Sequence, residues 1–353
     1  MNPKTSALVV SLLSMTMLCA GCAGRPEKGV LTPVAEKANV EGTSRVRVLA
    51  ATTRQRSSTD PGDMFNGERA EEVSYASITV SIPPDGSRKV GEVQWPESLP
   101  GDPRRDFVTV SADYLSKQDF RGAVGAAVKA NKRKRVLVFV HGFNNRFDDA
   151  VYRFSQIVHD SGSPAVPILF TWPSRGELKL RAYTYDRESA NYSRDALEAL
   201  LDDIASNPNV AEINVVAHSM GNWVTLEALR SRSIRAKRGP DKIKNVFLVA
   251  PDVDTDVFRT QIQRIGTPRP RILLFVSQDD KALALSQTIW GGVPRLGEID
   301  PAKEPYRSQL EREHIEVFDL TSLKTAGDDA HDRAFDDVTR VMTMVKQRYG
   351  EDQ

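Results

Sequence analysis

Short apolar runs alternate with segments of helical periodicity from Arg135 to the end of the chain, and this alternation constrains the fold most. The apolar runs are nearly continuous in valine, isoleucine, leucine and phenylalanine, which is typical of parallel strands covered on both faces. Strands are predicted at Val136–Val140, Val166–Trp172, Ile213–Ala217, Val246–Ala250, Arg271–Ser277 and Ile315–Leu320. The pattern predicts an α/β fold with a mostly parallel central sheet and helices on both faces.

Helical periodicity fills the intervals between these strands and closes the chain. The predicted helices are Asp148–Asp160, Asp186–Ala205, Met220–Arg230, Thr255–Ile265, Lys281–Gln287 and Ala334–Tyr349. In a parallel sheet of this kind, functional groups collect at the carboxyl ends of the strands. Candidate site residues are therefore expected in the loops that follow strands.

The region before the parallel sheet has a different pattern, in which turn formers separate short alternating runs. Arg45–Leu49, Ser74–Ile82 and Phe107–Val110 are predicted as antiparallel strands. A helix with one apolar face is predicted before Asn131. Residues 45–353 are thus interpreted as one domain, with N-terminal strands and a helix over 45–131 and the catalytic core over 132–353.

The first 21 residues have the pattern of a signal peptide, in which Lys4 precedes an apolar stretch from Ala7 to Leu18. That stretch is shorter than the ~20 residues that a membrane-spanning helix needs. The sequence Leu18-Cys19-Ala20-Gly21-Cys22 resembles a bacterial lipobox, although Cys19 replaces the usual leucine. We expect a lipid anchor at Cys22 in the outer membrane, facing the periplasm, and a flexible tether over 22–44. Without use of the lipobox, the protein would be secreted.

Composition excludes several function classes. Cys19 and Cys22 are the only cysteines, so the mature domain has no internal disulfide and no cysteine zinc site. Alternate aspartates begin at Asp252, but Val257 and Gln263 stand where an EF-hand loop needs glycine and glutamate, and no metal or cofactor is predicted. The 48 basic and 47 acidic residues nearly balance, which disfavours a nucleic-acid partner.

The pentapeptide Ala217-His218-Ser219-Met220-Gly221 joins a predicted strand to a predicted helix. A serine at such a turn, with small residues two positions away on each side, is the pattern of a nucleophile elbow. The turn presents the serine Oγ above the sheet edge, and the small neighbours let strand and helix approach closely. Ala217 stands where the common pattern has glycine. Ser219 is the predicted nucleophile, and the alternative is a serine in an ordinary turn.

A serine nucleophile needs a base, and the five histidines allow elimination. Those at positions 159 and 314 lie at a helix end and at the amino end of a strand. His218 shares the tight turn with Ser219 and cannot easily fold back onto its Oγ, and the context of His141 suits another role. His331 follows the last strand on the carboxyl side and is the predicted general base. The alternative is an exposed loop histidine.

The acid that orients the base has three candidates. Asp279 and Asp280 follow the strand that ends at Ser277, and Asp252 follows the strand before it. Both loops lie at the carboxyl edge and give the chain order serine, acid, histidine. The later loop is the commoner location for the acid. Asp280 is therefore the first candidate, Asp279 the second, and Asp252 remains a rival.

Two backbone N–H groups are predicted to form the oxyanion hole. The residue after the nucleophile, Met220, supplies one donor at the start of a helix. The loop after Val136–Val140 supplies the other, where Gly142 lets the backbone approach the substrate and Phe143 donates. His141 is expected to hold this loop in shape.

The motifs together resemble the α/β-hydrolase superfamily and, within it, a bacterial group of esterase/lipase-like proteins of unassigned physiological function. The resemblance rests on the runs at 138–145, 170–174, 217–221, 250–254 and 280–283, with Thr52-Thr53-Arg54, Arg295-Leu296-Gly297 and His331. It implies an eight-strand-type hydrolase sheet with a triad of Ser219, Asp280 and His331. It implies no particular substrate.

Two segments are candidates for a wall or cap over the site: Trp172–Gly176 with the following Tyr183–Tyr192, and Pro294–Glu313. Each is equally well interpreted as a surface loop, and neither has the apolar face of a lipase lid. The leading hypothesis is a membrane-tethered serine hydrolase that cleaves small acyl esters. The alternatives are an acyltransferase, thioesterase or amidase with the same residues, and an envelope lipoprotein that uses the fold as a binding module without turnover.

Overall fold

The computed structural model describes residues 26–34, 39–236, 242–265, 268–323 and 330–349. Within these ranges the chain forms one nine-stranded sheet. The strands β1 to β9 are Ser44–Arg56, Phe65–Ile82, Val108–Leu115, Arg135–Val140, Val166–Thr171, Glu212–His218, Ile243–Val249, Arg271–Val276 and Glu316–Asp319. The signal peptide and Cys22 lie outside the described residues.

Strand order across the sheet is β3-β2-β1-β5-β4-β6-β7-β8-β9. The pairs of β2 with β1 and with β3 are antiparallel, and the other six pairs are parallel. The predicted mostly parallel sheet with antiparallel N-terminal strands is confirmed. The sheet has nine strands in place of the eight that the resemblance implied, because the N-terminal region adds an antiparallel edge.

Nine α-helices accompany this sheet in the described parts of the chain. In chain order, α1 to α9 are Lys117–Ala130, Phe147–Ser161, Leu180–Ser206, Gly221–Ala236, Thr255–Arg264, Lys281–Ile289, Tyr306–Arg312, Arg333–Asp336 and Val338–Tyr349. Side-chain caps fix where several of them begin. The Asp254 carboxylate, for example, accepts hydrogen bonds from two N–H groups in the first turn of α5.

Two apolar clusters lie on opposite faces of the sheet. One contains the buried sides of α1, α3, α4 and α5 together with alternate strand residues such as Val138 and Val215. The other contains α2 and α9 with the intervening residues, such as Phe139. Because successive strand side chains point to opposite faces, a central strand must be apolar throughout, which explains its continuous apolar sequence.

Several element boundaries differ from the prediction. Helix α3 begins at Leu180, six residues before the predicted Asp186, so the whole of the predicted wall at Tyr183–Tyr192 belongs to this helix. The predicted last helix from Ala334 is two helices, α8 and α9. The second cap candidate contains a short 3₁₀ turn, Leu296–Glu298, and helix α7.

Part of the predicted flexible tether packs against the domain, so that prediction is wrong over residues 26–34. Val30 and Leu31 are 2% and 1% exposed, and the Leu31 N–H donates to Gly62 O over 2.8 Å. The Arg146 guanidinium also donates to backbone oxygens at Pro26 and Glu27. Burial of two aliphatic side chains stabilises this segment by roughly 1.5–3 kcal/mol each.

Across the described residues, no helix combines the length and apolar character needed to cross a membrane.

Candidate active site

Ser219 lies at the sharp turn between β6 and α4. Its backbone φ of +51° falls in the left-handed region, which side chains other than glycine rarely adopt. Two hydrogen bonds hold this conformation: the Ser219 N–H donates to Val249 O over 3.0 Å, and the buried Asn222 amide donates to Ser219 O over 2.9 Å. The strained turn is therefore fixed from the neighbouring strand and from the helix that follows.

Glycines allow the close approach that this turn requires. A Cβ on Gly221 would lie 2.6 Å from Val140 O and against His141 O. A Cβ on Gly142 would lie 2.8 Å from the Ser219 Cβ. Both predicted supporting glycines therefore let the β4 loop and the β6 turn meet. Ala217, at the position where the common pattern has glycine, is fully buried in the core.

His331 and Asp280 meet at the carboxyl edge of the sheet. The His331 Nδ1 lies 2.7 Å from Asp280 Oδ2. The other oxygen, Asp280 Oδ1, accepts hydrogen bonds from Ala282 N and Leu283 N, each over 3.0 Å, and so caps α6. Asp280 is 2% exposed. A buried carboxylate fixed at a helix start can therefore hold the imidazole in one orientation.

His218 connects this pair to the serine. Its Nε2 lies 3.1 Å from the backbone oxygen of His331, and the two imidazole rings are 4.8 Å apart. Burial lowers the pKa of His218 to about 4, although the nearby Asp332 charge opposes the shift. Near neutral pH the His218 ring is uncharged, and its Nε2–H can donate to His331 O. The residue before Ser219 therefore positions the histidine loop.

Asp332 fixes the loop that carries His331 through contacts with Arg153 and His218. Its carboxylate lies 3.5 Å from Arg153 Nη2 and 3.6 Å from His218 Nε2. Burial alone would raise the pKa of Asp332, but the charge of Arg153, followed by His218 and His331, lowers it to about 2. This ionised carboxylate links the histidine loop to helix α2 through Arg153.

The other two acid candidates have different partners. Both oxygens of Asp279 accept hydrogen bonds from the Arg333 guanidinium over 2.8 Å. This pairing lowers the pKa of Asp279. Asp279 and Asp280 are adjacent in sequence, yet only Asp280 faces His331 among the contacts described here.

Asp252 lies at the centre of a buried polar cluster. Tyr183 Oη donates to Asp252 Oδ2 over 2.5 Å, and Ser286 Oγ donates to Oδ1 over 2.6 Å. The Arg295 Nε lies 3.5 Å from the same Oδ1. Burial and the charge of Asp252 raise the pKa of Tyr183, so the phenol stays protonated. Asp252 thus ties together α3, α6 and the loop that carries Arg295.

The two predicted oxyanion donors adjoin Ser219. Met220 follows it directly, and Phe143 follows Gly142, which touches the Ser219 side chain. Neither the Phe143 N–H nor the Met220 N–H has a hydrogen-bond acceptor among the described residues. Two unused donors beside a serine can stabilise negative charge on an oxygen bound between them.

His141, which is predicted to hold the Phe143 loop in shape, contacts Gly142 and Trp172. Its Nδ1 lies 2.8 Å from Gly142 O, and its Nε2 accepts from Trp172 N over 3.2 Å. The ring stacks on the Trp172 indole at 4.9 Å. Burial, aided by the charge of Arg54, lowers the pKa of His141 well below its usual range. The uncharged His141 imidazole therefore packs between the Phe143 loop and Trp172.

Arg54 is a site residue whose contacts the sequence did not reveal. It is 1% exposed, and its guanidinium donates to Asn145 O over 2.7 Å and to Ser174 O over 2.8 Å. Its Nη2 also lies 3.3 Å from His141 Nε2. Burial lowers the pKa of Arg54 to about 10, against the raising effect of Asp186. Strand β1 contains three other arginines, so nothing local in the sequence set Arg54 apart.

Within the described ranges, no group of three or more histidine, cysteine, aspartate or glutamate side chains is arranged to hold a metal ion.

Comparison with known proteins places this geometry in a family. Residues 116–348 match the family model of the alpha/beta hydrolases of unknown function (DUF900). No curated protein matches the chain.

Solved structures with a similar fold are distant in sequence. A predicted CIB-like hydrolase from Thermoplasma acidophilum is 12% identical, with a TM-score of 0.33, over 67% of this chain and 89% of that one. An esterase from Pyrobaculum calidifontis is 12% identical, with a TM-score of 0.34, over 89% and 85%. Naproxen esterase from Bacillus subtilis is 14% identical, with a TM-score of 0.32, over 61% and 84%.

The family model covers more than half of the chain, including the serine turn, the aspartate loops and His331. The chain therefore belongs to the alpha/beta hydrolase family of unknown function (DUF900).

Proposed function

We propose that the protein is a membrane-tethered serine hydrolase that cleaves carboxylic esters through an acyl-enzyme. The observation that carries the proposal is the 2.7 Å contact between His331 Nδ1 and the buried Asp280 carboxylate, beside the Ser219 turn. A buried acid, an oriented imidazole and a strained serine turn form the arrangement that activates a serine hydroxyl.

In the first half-reaction, Ser219 Oγ attacks the ester carbonyl, and its proton passes to His331 Nε2. Asp280 stabilises the imidazolium that forms, because its charge lies against Nδ1–H. The carbonyl oxygen becomes negative in the tetrahedral intermediate and accepts hydrogen bonds from Phe143 N–H and Met220 N–H. Collapse of the intermediate breaks the ester bond, and His331 returns the proton to the departing alcohol.

In the second half-reaction, water attacks the acyl-serine. His331 takes one proton from the water, and the same two N–H groups hold the second oxyanion. Cleavage of the acyl–Oγ bond releases the carboxylic acid and returns the proton to Ser219. Each oxyanion donor contributes roughly two to three decades of rate in enzymes of this kind.

A fluorophosphonate probe tests the nucleophile on the full-length protein in detergent. Wild-type protein is expected to form a covalent adduct, and Ser219→Ala is expected to abolish it. The adduct should map to Ser219 by mass spectrometry of the peptides, with heat-denatured wild type as the unreactive control. An intact, folded wild type that does not react would favour the binding module over the hydrolase.

The membrane attachment has a separate test. We propose that Cys22 is lipidated after removal of residues 1–21 and that the protein faces the periplasm from the outer membrane. Metabolic labelling with an alkyne fatty acid should mark the wild type, and Cys22→Ala should lose the label and leave the membrane fraction. A Cys22→Ala protein that stays in the outer membrane would refute this anchor without affecting the proposed chemistry.

A further inference from the structure

Arg187 lies between two tryptophans, Trp290 and Trp223. Its guanidinium carbon is 4.0 Å from the centre of the Trp290 ring and 5.5 Å from that of Trp223. No carboxylate lies within ion-pair distance of Arg187 among the described residues. The Trp223 indole N–H is also buried without an acceptor there. This cluster therefore contains a half-buried cation and an indole donor that no described side chain satisfies.

Direct contacts connect Arg187 to both sides of the proposed catalytic serine. On one side, Trp223 lies in the first turn of α4, and its backbone N–H donates to Met220 O over 3.1 Å. On the other side, Trp290 Nε1 donates to Tyr183 Oη over 3.2 Å, and the Tyr183 ring packs edge-on against Phe143 at 5.1 Å. These contacts therefore connect Arg187 to both proposed oxyanion donors, Met220 and Phe143.

The position of Arg187 on α3 follows from helix geometry. Arg187 is one turn after Tyr183, so both side chains lie on the helix face that borders the Ser219 turn. Helix α3 packs along α4, which begins directly after the serine turn. The cation is consequently presented at the same sheet edge as the nucleophile.

We propose that Arg187 binds a carboxylate on the substrate, so that the preferred substrates are esters whose acyl or alcohol portion carries a negative charge. This inference rests on the proposed function. Stacking on an indole uses the flat face of the guanidinium and leaves its N–H edge for a planar, two-oxygen acceptor. The indole stacked on the guanidinium also covers one of its faces, which lowers the local dielectric and strengthens the attraction. An aromatic wall alone would favour neutral acyl chains.

Two matched ester pairs test the inference with the full-length protein. The acyl-side pair is mono-4-nitrophenyl glutarate and its neutral methyl diester. The alcohol-side pair is the butyrate ester of 4-hydroxybenzoate and that of its methyl ester. In at least one pair, wild type is expected to favour the charged ester in kcat/KM by about 10- to 100-fold, the range of a charge-assisted hydrogen bond. The responding pair identifies the portion that carries the charge.

Arg187→Gln should remove most of this preference, chiefly by raising KM for the charged ester, and Arg187→Lys should retain part of it. Arg194→Gln is the matched control, since Arg194 lies two turns further along α3 and pairs with Asp195. It should keep the wild-type ratio.

The outcomes of these measurements distinguish failure of the role of Arg187 from failure of the esterase proposal. The role of Arg187 is overturned if wild type hydrolyses the esters without discrimination in either pair. It is also overturned if Arg187→Gln affects charged and neutral esters equally. Both results leave the esterase proposal intact. If wild type hydrolyses none of the four esters and does not react with the fluorophosphonate, both proposals fail.

Discussion

Two loops at the same edge of the sheet carry buried aspartates, but their partners differ. The loop after β7 presents Asp252, whose oxygens are occupied by Tyr183 and Ser286, with Arg295 nearby. The loop after β8 presents Asp280, which uses one oxygen for the start of α6 and the other for His331. Position at the carboxyl edge therefore does not by itself decide which acid orients the base.

Asp252 joins secondary-structure elements, whereas Asp280 contacts a histidine. Asp252 ties three segments together, and its own N–H donates to Ser219 O over 3.2 Å, so it also steadies the serine turn. Asp280 is fixed in a different way, because backbone N–H groups at the start of α6 donate to one of its oxygens. A helix cap thus serves a second purpose at this site.

The largest expected effect comes from Asp280. Asp280→Asn should lower kcat by about 10³–10⁴-fold, because an amide cannot stabilise the imidazolium and favours the wrong tautomer of His331. Steady-state hydrolysis of a 4-nitrophenyl ester measures it. Asp279→Asn is the matched control, with the same charge change one residue away, and should stay within tenfold of wild type. Equal losses in the two variants would end the distinction between these acids.

Asp252→Asn should act mainly on stability. The Asp252 and Arg295 side chains are 4% and 7% exposed, and breaking a buried ion pair costs about 3–5 kcal/mol. Urea unfolding followed by circular dichroism should show a lower midpoint, with kcat at 20 °C reduced far less than in Asp280→Asn. If Asp252→Asn instead lowered kcat by about tenfold or more without changing the urea midpoint, Asp252 in the loop after β7 would be the acid of the triad.

The smallest expected effect concerns His218, which faces His331, Asp332 and, beyond them, Arg153. Its pKa in the folded protein, about 4, lies below the ordinary value of 6.5. The unfolded chain therefore binds the extra proton between these values, and stability falls as the pH drops from about 6.5 to 4. The His218 contribution is on the order of 3 kcal/mol. His218→Gln should flatten the fall in urea midpoint over this window, and curves that stay parallel would contradict the shifted pKa.

Much of the framework follows from local sequence. The central strands are apolar because both of their faces are buried, so the sequence predicts β4, β5, β6 and β8 to within one residue at each end, whereas β7 begins three residues earlier than predicted. The serine turn was predicted because small residues and a strand-to-helix change are readable locally. Sequence reasoning ranked Asp280 first, and the family resemblance implied it, but Asp279 and Asp252 stayed open because all three acids lie at the same edge. The contact between His331 and Asp280 is what distinguishes them.

The parts that the sequence did not reveal depend on distant partners. Most partners of the Arg54 guanidinium lie 87 to 120 residues away in the chain, so its burial had no local signal. The polar composition of residues 26–34 suggested a tether, but Val30 and Leu31 find apolar surface on the folded domain. Helix α3 begins early because Tyr183 and Asp186 are buried by polar contacts, which apolar periodicity does not register.

The contact between His218 and the His331 backbone has a consequence for synthesis of the chain. The two residues are 113 positions apart, and ribosomes add about 5–20 residues per second. The serine turn is thus made roughly 6–20 s before its candidate base. During that interval the nascent chain contains Ser219 without the histidine that would take its proton. On the proposed mechanism, ester cleavage therefore requires synthesis of the segment that carries His331.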